Sequence, residues 1–299
     1  MQDDTDVPAA LKVVEGPDLN RSKSPLDKKE YRQILLPNGL RVVLISDTTA
    51  MTQSYNSGGI YMEEDDDTDD DDVDNQSNQE DLKDNEEEED DSEGDSSSGG
   101  DHGLRNAAAA MVVGVGSMSD PPECQGLAHF LEHLLFMGSE KYPEENAYDS
   151  FMNKHGGSDN AYTELEYTVY HFEIPQEYLA KGLDMFAQFF TAPLMLESSV
   201  DRELNAIESE FQLVKNSDGS RLQHLMSHTC GYSPTRHPFA KFSWGNKQSL
   251  QESPRRKNVD PMVELRKFYD QVSHESCMFI LQSSHPSKMS FFSTTTQQT

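Results

Sequence analysis

The 299-residue sequence predicts an α+β domain, in which strands and helices are both present in quantity. Two short alternating segments early in the chain predict strands, and an apolar segment further along predicts another. Helical periodicity then dominates up to about residue 214. At about 100–200 residues per domain, the length allows one large domain or two ordinary ones.

The first predicted strands lie between Tyr31 and Ser46, on either side of a hairpin-type turn at residues 37–39 (Pro-Asn-Gly). A second segment, Ala107 to Val115, predicts a buried strand that ends at residues 116–117 (Gly-Ser). An acidic tract separates the two. Because neither side forms a complete domain without the other, we predict that the tract is a loop insertion and not a domain boundary.

The acidic tract carries most of the charge of the chain. The sequence has 24 Lys and Arg against 54 Asp and Glu, a formal net charge of −30. Residues 63–101 contain 22 Asp and Glu and one Lys, which is −21, and the other 260 residues carry −9. Because residues 62–102 have almost no apolar side chains, they are predicted to be disordered. Two interpretations stay open: a solvated linker, or a tether for polyamines, cationic peptides or basic proteins.

Composition excludes several classes of protein. So acidic a chain is not expected to bind nucleic acid, whose phosphates need Lys and Arg, or an anionic membrane. Three widely spaced cysteines, Cys124, Cys230 and Cys277, do not form a disulfide pattern. No segment reaches the roughly 18 apolar residues of a membrane span. The first residues resemble neither a secretory signal nor a transit peptide. We therefore expect a cytoplasmic protein, with residues 1–30 as a flexible arm.

Four helices are predicted after the apolar strand. They span Gln125 to Met137, Asn146 to Lys154, Pro175 to Ala192 and Glu197 to Val214. Glycines at 138 and at 156–157 end the first two helices, and Ser198 or Ser199 is a candidate N-cap of the fourth. Between the second and third helices, Thr168 to Ile174 alternates as a strand does.

The first of these helices carries the candidate chemistry, in His129-Phe-Leu-Glu-His133. Residues four apart share one face of a helix, so both imidazoles can reach a single metal ion. Glu132 lies on the flank of that face, where its carboxylate can approach a water on the metal without being a ligand. Paired histidines favour zinc, and H-x-x-E-H is the inverted form of the zinc-protease motif. In such sites zinc acidifies a water and the glutamate takes its proton.

A catalytic zinc site needs a third protein ligand and an open position. In the fourth helix, Glu203 and Glu210 are seven residues apart and so lie two turns apart on one face. Each pattern also has a simpler interpretation: a pair of surface histidines in the first helix, and a solvated acidic face in the fourth. The interval of 76 residues between His133 and Glu210 favours the metal site.

With this interval, the chain resembles the pitrilysin/insulinase family of zinc metallopeptidases, in which a glutamate ligand follows H-x-x-E-H after about 76 residues. Four stretches carry the resemblance: Gly126 to Ser139, Lys154 to Thr163, Glu203 to Glu210 and His237 to Asn246. It extends from about Tyr31 to about Gln282, interrupted by the insertion. Within the family, the acidic insertion just before the metal helix makes this chain most similar to the nardilysin-like branch, and to its plant members in particular.

The resemblance implies a mixed, largely antiparallel sheet packed against helices, and it implies roles for the site residues. His129, His133 and Glu210 would bind one zinc ion, and Glu132 would be the general base. Glu203 matches a second glutamate that assists catalysis or orients the site.

Substrate binding is also implied by the resemblance. Asn160, Ala161 and Thr163 fall where the family lays an extended peptide against a sheet edge. The implied reaction is hydrolysis of internal bonds in short peptides, at basic or dibasic sites in the nardilysin-like branch. An acidic protein is compatible with cationic peptide substrates.

Members of the insulinase branch are much longer than this chain and have two halves that enclose the substrate. The resemblance therefore implies that residues 31–282 are an amino-terminal catalytic domain, incomplete at its end, and that residues 283–299 are an atypical tail. It also implies that the missing carboxy-terminal half is needed for full activity. Two hypotheses follow: a zinc metalloendopeptidase, or a truncated, non-catalytic zinc-binding regulatory protein whose acidic arm binds basic partners.

Other candidate residues are assigned structural roles. His224 and His228 are also four apart, but no glutamate stands at the third position, so we interpret them as surface or core residues. His155 precedes two glycines and is interpreted as a helix-end residue. Cys124 is close to His129 in sequence, but no Cys-His-Asp arrangement supports a thiol nucleophile.

Overall fold

The computed structural model describes residues 13–47, 106–231, 233, 237–272 and 277–283, which all belong to one structural unit. Within these residues seven strands form one sheet, in the order β1-β2-β3-β7-β4-β6-β5. The strands are β1 (Val14–Glu15), β2 (Glu30–Leu35), β3 (Arg41–Ser46), β4 (Asn106–Val113), β5 (Ser158–Thr163), β6 (Thr168–Pro175) and β7 (Cys277–Ser283). Every neighbouring pair is antiparallel except β3 and β7. The predicted mixed, largely antiparallel sheet is confirmed.

Turn chemistry fixes the register of the β2–β3 hairpin. Gly39 has a φ of +88°, a left-handed conformation that glycine adopts without a Cβ clash. The Asn38 side chain accepts a hydrogen bond from the Leu40 N–H at 3.1 Å, which closes the turn. The resulting register places Ile34 opposite Val42, and both side chains are buried. The hairpin predicted from the sequence is therefore confirmed.

Strand β7 lies between β3 and β4 although it is the last strand in the sequence. It runs parallel to β3, with Ser46 opposite Ser283, and antiparallel to β4, with Ala108 opposite Gln282. The end of β3 and the start of β4 consequently lie at the same end of the sheet, separated by one strand. The predicted acidic insertion, residues 62–102, connects them and lies outside the described residues.

The helices are α1 (Leu127–Leu135), α2 (Ala147–Lys154), α3 (Leu179–Thr191), α4 (Glu197–Val214), α5 (Asp218–Thr229), α6 (Ser253–Arg256) and α7 (Pro261–Val272). A 3-10 turn, Gln176–Tyr178, precedes α3, and a π-helical turn, Gln248–Glu252, precedes α6. The first four confirm the predicted helices, whereas the sequence patterns did not predict the last three. In the described part of the chain, no helix is both long enough and apolar enough to cross a membrane.

Helix α1, which carries His129 and His133, is deeply buried. Its Leu127, Phe130 and Leu134 side chains have no exposed surface, and they belong to the same core as Met111 of β4 and Phe172 of β6. Burying each of these large apolar side chains contributes about 1.5–3 kcal/mol. The histidines of α1 are therefore carried by a helix that the core holds firmly.

The predicted serine cap of α4 is wrong. The N-cap residue is Leu196, which provides no side-chain hydrogen bond. Ser199 instead donates its hydroxyl to Glu145 Oε1 at 2.6 Å. Ser198 and Ser199 lie inside the helix, which begins at Glu197, so neither occupies the N-cap position from which a serine oxygen accepts a backbone N–H.

The predicted flexible arm, residues 1–30, is contradicted in its described part, residues 13–30. Residues 1–12 lie outside the described residues, but Val14–Glu15 pairs with β2. Asn20 also binds the backbone of Tyr31 twice: its Nδ2 donates to the carbonyl at 2.8 Å, and its Oδ1 accepts from the N–H at 3.0 Å. The described part of this segment is thus attached to the sheet. The predicted tail is described only at Ser283.

Candidate metal centre

A buried carboxylate holds the start of α1. The two oxygens of Asp120 accept hydrogen bonds from the backbone N–H groups of Gly126, at 2.6 Å, and Ala128, at 2.8 Å. These N–H groups have no partner inside the helix, so the Asp120 side chain caps the helix, although it lies six residues before Gly126. Burial raises the pKa of Asp120 to about 7, against the lowering effect of these hydrogen bonds. The position of the histidine pair therefore depends on Asp120.

Three side chains converge beside α1. His129 Nε2 lies 3.3 Å from His133 Nε2. Glu210, reaching in from α4, places its Oε2 3.3 Å from His129 Nε2 and its Oε1 3.6 Å from His133 Nε2. These three residues form the one group of potential metal ligands found among the described residues. The structure thus brings together the three predicted ligands.

The spacing of these atoms fits zinc. With zinc bonds of about 2.0–2.1 Å, two ligand atoms of a tetrahedral site lie about 3.3–3.4 Å apart. The His129 Nε2–His133 Nε2 and His129 Nε2–Glu210 Oε2 separations, both 3.3 Å, match two edges of such a tetrahedron. One potential ligand atom from each of the three residues lies within 4.8 Å of the other two. Two imidazoles and one carboxylate also leave a fourth position for water, as catalytic zinc sites require.

Each histidine has a hydrogen-bond partner on its other ring nitrogen. His129 Nδ1 donates to the backbone carbonyl of Trp244 at 2.7 Å. His133 Nδ1 faces Glu203 Oε2 at 3.3 Å, and Arg202 in turn holds Glu203 through Nε at 3.2 Å. Both rings are therefore oriented so that Nε2 points toward the ligand cluster. Glu203 lies where an orienting residue would lie, and its role stays a prediction.

Glu132 lies beside the cluster without belonging to it. It is buried, with 7% of its surface exposed, and its Oε2 accepts a hydrogen bond from the Thr163 hydroxyl at 2.6 Å. Burial raises the pKa of Glu132, while the Thr163 hydrogen bond and the two histidines lower it. A carboxylate with a raised pKa, held next to a metal site, has the properties of a general base.

The charges of the cluster are strongly coupled. Hydrogen bonds to His129 and His133 hold the pKa of Glu210 far below its usual range. Burial alone would lower the pKa of His133, but the carboxylates of Glu203 and Glu210 outweigh it and raise the pKa to about 9. The hydrogen bond with His133 also lowers the pKa of Glu203. The site therefore concentrates negative charge around the imidazoles, which favours a cation.

The predicted substrate residues lie on β5, the edge strand of the sheet, with β6 as its described neighbour. Ala161 and Thr163 line the same cleft as His129 and Glu132, and Asn160 also borders it. Asn160 is exposed, and its side chain accepts a hydrogen bond from the Ala161 N–H at 2.9 Å. The strand thus borders the metal centre, and peptide binding there stays a prediction.

Sequence reasoning missed three contacts of the site: the Asp120 anchor, the Thr163 hydroxyl on Glu132, and the Trp244 carbonyl on His129. Thr163 and Trp244 lie in stretches that carried the family resemblance, which was the available signal. Asp120 lies just before the helix, as capping aspartates often do, but six residues from its first bonded N–H.

The residues that the sequence analysis assigned structural roles, namely His155, His224, His228 and Cys124, do not line the cleft of the metal centre. His224 packs against the Phe242 ring, with centroids 5.0 Å apart. His155 is the C-cap of α2. Cys124 is fully buried, and burial raises the pKa of its thiol to about 11, so the thiol is not a nucleophile at neutral pH.

Comparison with known protein families gives a match to the insulinase family, peptidase family M16, over residues 99–241. The chain carries an M16-family domain. The matched range includes both histidines, Glu132 and Glu210, so the converging side chains belong to the recognised part of the chain.

Curated relatives of this M16 domain are far longer than the chain. It is 51% identical over 178 residues to a nardilysin-like protein of Arabidopsis thaliana, which covers 60% of this chain and 17% of the relative. It is 48% identical over 165 residues to Homo sapiens nardilysin, covering 55% and 14%. Identity to Homo sapiens insulin-degrading enzyme is 38% over 248 residues, covering 83% and 19%.

A crystal structure of pitrilysin has the same fold. It superimposes on 88% of this chain and 22% of its own chain, with a TM-score of 0.65 and 27% sequence identity. The chain thus spans less than a quarter of the proteins that it matches.

Proposed function

We propose that this M16 domain is the zinc-binding part of a metalloendopeptidase that hydrolyses internal bonds of short peptides. One observation supports this most strongly: two imidazoles and one carboxylate converge with one potential ligand atom each within 4.8 Å of the others, and a separately held carboxylate lies beside them. His129, His133 and Glu210 would hold the ion. Relatives named nardilysin and insulin-degrading enzyme agree with a peptidase.

A zinc ion in this position supplies Lewis-acid chemistry, polarising a peptide carbonyl and acidifying a water. Glu132 then accepts a proton from the attacking water, whose oxygen bonds to the carbonyl carbon. As the carbon–nitrogen bond breaks, Glu132 passes that proton to the leaving amine. The Thr163 hydroxyl fixes the carboxylate during both transfers. Glu203 orients His133 through its Nδ1.

The peptide would lie along β5. An edge strand offers unpaired backbone groups, so an extended peptide can add to the sheet by main-chain hydrogen bonds. Asn160, Ala161 and Thr163 lie on that strand, and Ala161 and Thr163 line the cleft beside Glu132. Such binding recognises the backbone of the peptide more than its side chains, which suits a peptidase that acts on varied peptides.

A preference for basic residues is supported by two aspartates in the same cleft. Asp149 and Asp159 line it, and burial followed by the Asp149 charge raises the pKa of Asp159 to about 6. No lysine or arginine in the described part of the chain offsets either carboxylate. A Lys or Arg side chain of a substrate would supply the missing positive charge.

This preference has a direct test. With Asp159→Asn, we expect kcat/KM for a peptide with a basic residue at the cleavage site to fall roughly tenfold, about 1.4 kcal/mol. A neutral peptide of the same length serves as the control and should be cleaved at the same rate. An equal loss for both peptides would contradict a charge-based preference.

The function itself is tested by metal content and by Glu132→Gln. We expect about one zinc per chain in both proteins, because Glu132 is not a ligand. Cleavage of a basic peptide, measured with and without a separately supplied carboxy-terminal half of the nardilysin-like relative, should be lost in the variant. Zinc binding without turnover in either condition would favour the alternative, a non-catalytic zinc-binding regulatory protein. Absence of zinc binding would reject both.

A further inference from the structure

Residues 242–247, which supply no candidate ligand, contact the helix that carries the histidines. At the start of this 242–247 segment, the Phe242 N–H donates to Gln125 Oε1 at 2.7 Å, just before α1. One turn into the helix, His129 Nδ1 donates to the Trp244 carbonyl at 2.7 Å. The segment thus follows α1 over its first turn and fixes which nitrogen of His129 remains free for a metal.

Two glycines make this close approach possible. A Cβ on Gly126 would lie 2.2 Å from Gly245 Cα, and a Cβ on Gly245 would lie 3.0 Å from Gly126 Cα. Both contacts involve backbone atoms, which cannot move aside as a flexible side chain can. The distance between the Trp244 carbonyl and His129 therefore depends on the absence of side chains at both positions.

The same segment also contacts α4, which carries the third candidate ligand. The Lys247 N–H donates to Glu208 Oε2 at 3.0 Å. Glu208 lies two residues before Glu210, and Gln212 holds its other oxygen, Oε1, at 2.6 Å. A short stretch of backbone thus connects the helix of His129 with the helix of Glu210.

The 242–247 segment is itself held by the residues that follow it in the sequence. Asn246 and Ser249 exchange hydrogen bonds: the Ser249 N–H donates to Asn246 Oδ1 at 2.9 Å, and the Asn246 N–H donates to Ser249 Oγ at 3.1 Å. Leu250, which follows directly, has no exposed surface. Its backbone N–H also donates to the Asn246 carbonyl at 2.9 Å. These contacts hold the end of the segment in place.

We propose that the 242–247 segment is a positioning element of the metal centre, which sets the distance between the two ligand-bearing helices through His129 on one side and Glu208 on the other. None of its residues is among the three candidate ligands. The residues of the segment act through the orientation of the His129 ring and the placement of Glu210. The inference rests on the proposed zinc site.

The mildest test removes the contact to α4. Glu208→Ala leaves the Lys247 N–H without its acceptor, and we expect zinc to bind about tenfold more weakly, the low end of the loss seen for partners of metal ligands. Glu208→Gln keeps an acceptor oxygen and should restore binding to nearly the original affinity. Ser209→Ala, on the exposed side of the same helix, is the matched control and should change nothing.

A second test widens the contact to α1. Gly126→Ala should weaken zinc binding and shift the visible absorption bands of the cobalt-substituted protein, because the His129 ring must move. Gly39→Ala is the matched control: Gly39 has a similar φ, +88° against +95°, but no atom within 4 Å of its added Cβ. It carries the same backbone strain without the collision. Thermal melting of both variants separates unfolding from altered coordination.

The outcomes separate this inference from the proposed function. If the unaltered chain binds no zinc, the metal site itself is rejected. If it binds zinc and Glu208→Ala binds equally well, the positioning role is overturned. A loss in Glu208→Ala that Glu208→Gln does not restore also overturns it, because the effect would then come from the Glu208 charge and not from the contact with Lys247.

Discussion

At the scale of single residues, Thr163 shows how one hydroxyl determines the state of a neighbouring base. Its hydrogen bond to Glu132 stabilises the ionised carboxylate and lowers its pKa, against the raising effect of burial. In Thr163→Val this lowering effect is lost, while burial still raises the pKa and the two histidines still lower it. We expect the Glu132 carboxyl, followed by carbon NMR in the metal-free protein, to titrate at higher pH than in the unaltered chain. Thr191→Val, on α3, should leave that titration unchanged.

The pKa of His133 predicts how metal binding depends on pH. Its pKa is raised to about 9 by Glu203 and Glu210 despite burial, so the ring carries a proton at neutral pH in the metal-free protein. Zinc binds the neutral ring, so binding near pH 7 must release that proton, and the apparent affinity rises with pH up to about 9. Calorimetry in buffers with different ionisation enthalpies measures the proton count. Zinc binding at about pH 7 without proton release would contradict this assignment.

The ligand set could be predicted from residue types, but its supports could not. The spacing of His129 and His133 in H-x-x-E-H itself indicates a metal site, and Glu210 is indicated through the family resemblance. The partner of His129 is a backbone carbonyl, at Trp244, and every residue has one. Such a contact leaves no signature in residue type and depends on the path of the chain in three dimensions.

At the scale of secondary-structure elements, α1 depends on its anchor. Asp120→Ala leaves the N–H groups of Gly126 and Ala128 without an acceptor, and we expect the free energy of unfolding to fall by about 1–3 kcal/mol. Asp120→Asn keeps one acceptor oxygen and should lose less. Denaturant unfolding measures both. Asp218, whose side chain is fully exposed in the first turn of α5, is the control: Asp218→Ala should change stability by about 0.5 kcal/mol or less.

Element types were predictable where periodicity is strong, as in α1 and in the β2–β3 hairpin, because apolar spacing and turn residues are local properties. The order of the strands in the sheet could not be predicted from the sequence. Placing β7 between β3 and β4 depends on pairing between residues more than 160 positions apart, such as Val112 with Met278. The partner of Ser199 was not predictable for the same reason, since Glu145 lies in another part of the chain.

At the scale of the whole molecule, the sheet tolerates a long connection between β3 and β4. Their joined ends lie at the same end of the sheet, two strand spacings or about 10 Å apart. Since an extended residue spans at most about 3.5 Å, roughly six residues can replace 48–105. We expect this shortened chain to fold and to bind zinc with unchanged affinity, measured by competition with a chelator.

The same shortened chain tests the role of the acidic tract. If residues 62–102 are a tether for polyamines or basic proteins, its removal should abolish spermine binding at low salt, since it removes most of the net charge of −30. Retained spermine binding would assign that property to the rest of the domain. A loss of zinc binding would show that the connection contributes to the metal site.

The central position of β7 also orders events during protein synthesis. The β2–β3 hairpin and the strands β4, β5 and β6 leave the ribosome long before residue 283, yet β7 is what joins them. Until then the domain consists of two partial sheets, each with an open edge ready to pair with another chain. Nascent chains that stop short of β7 are therefore expected to need chaperones, although they already contain all three zinc-ligand candidates.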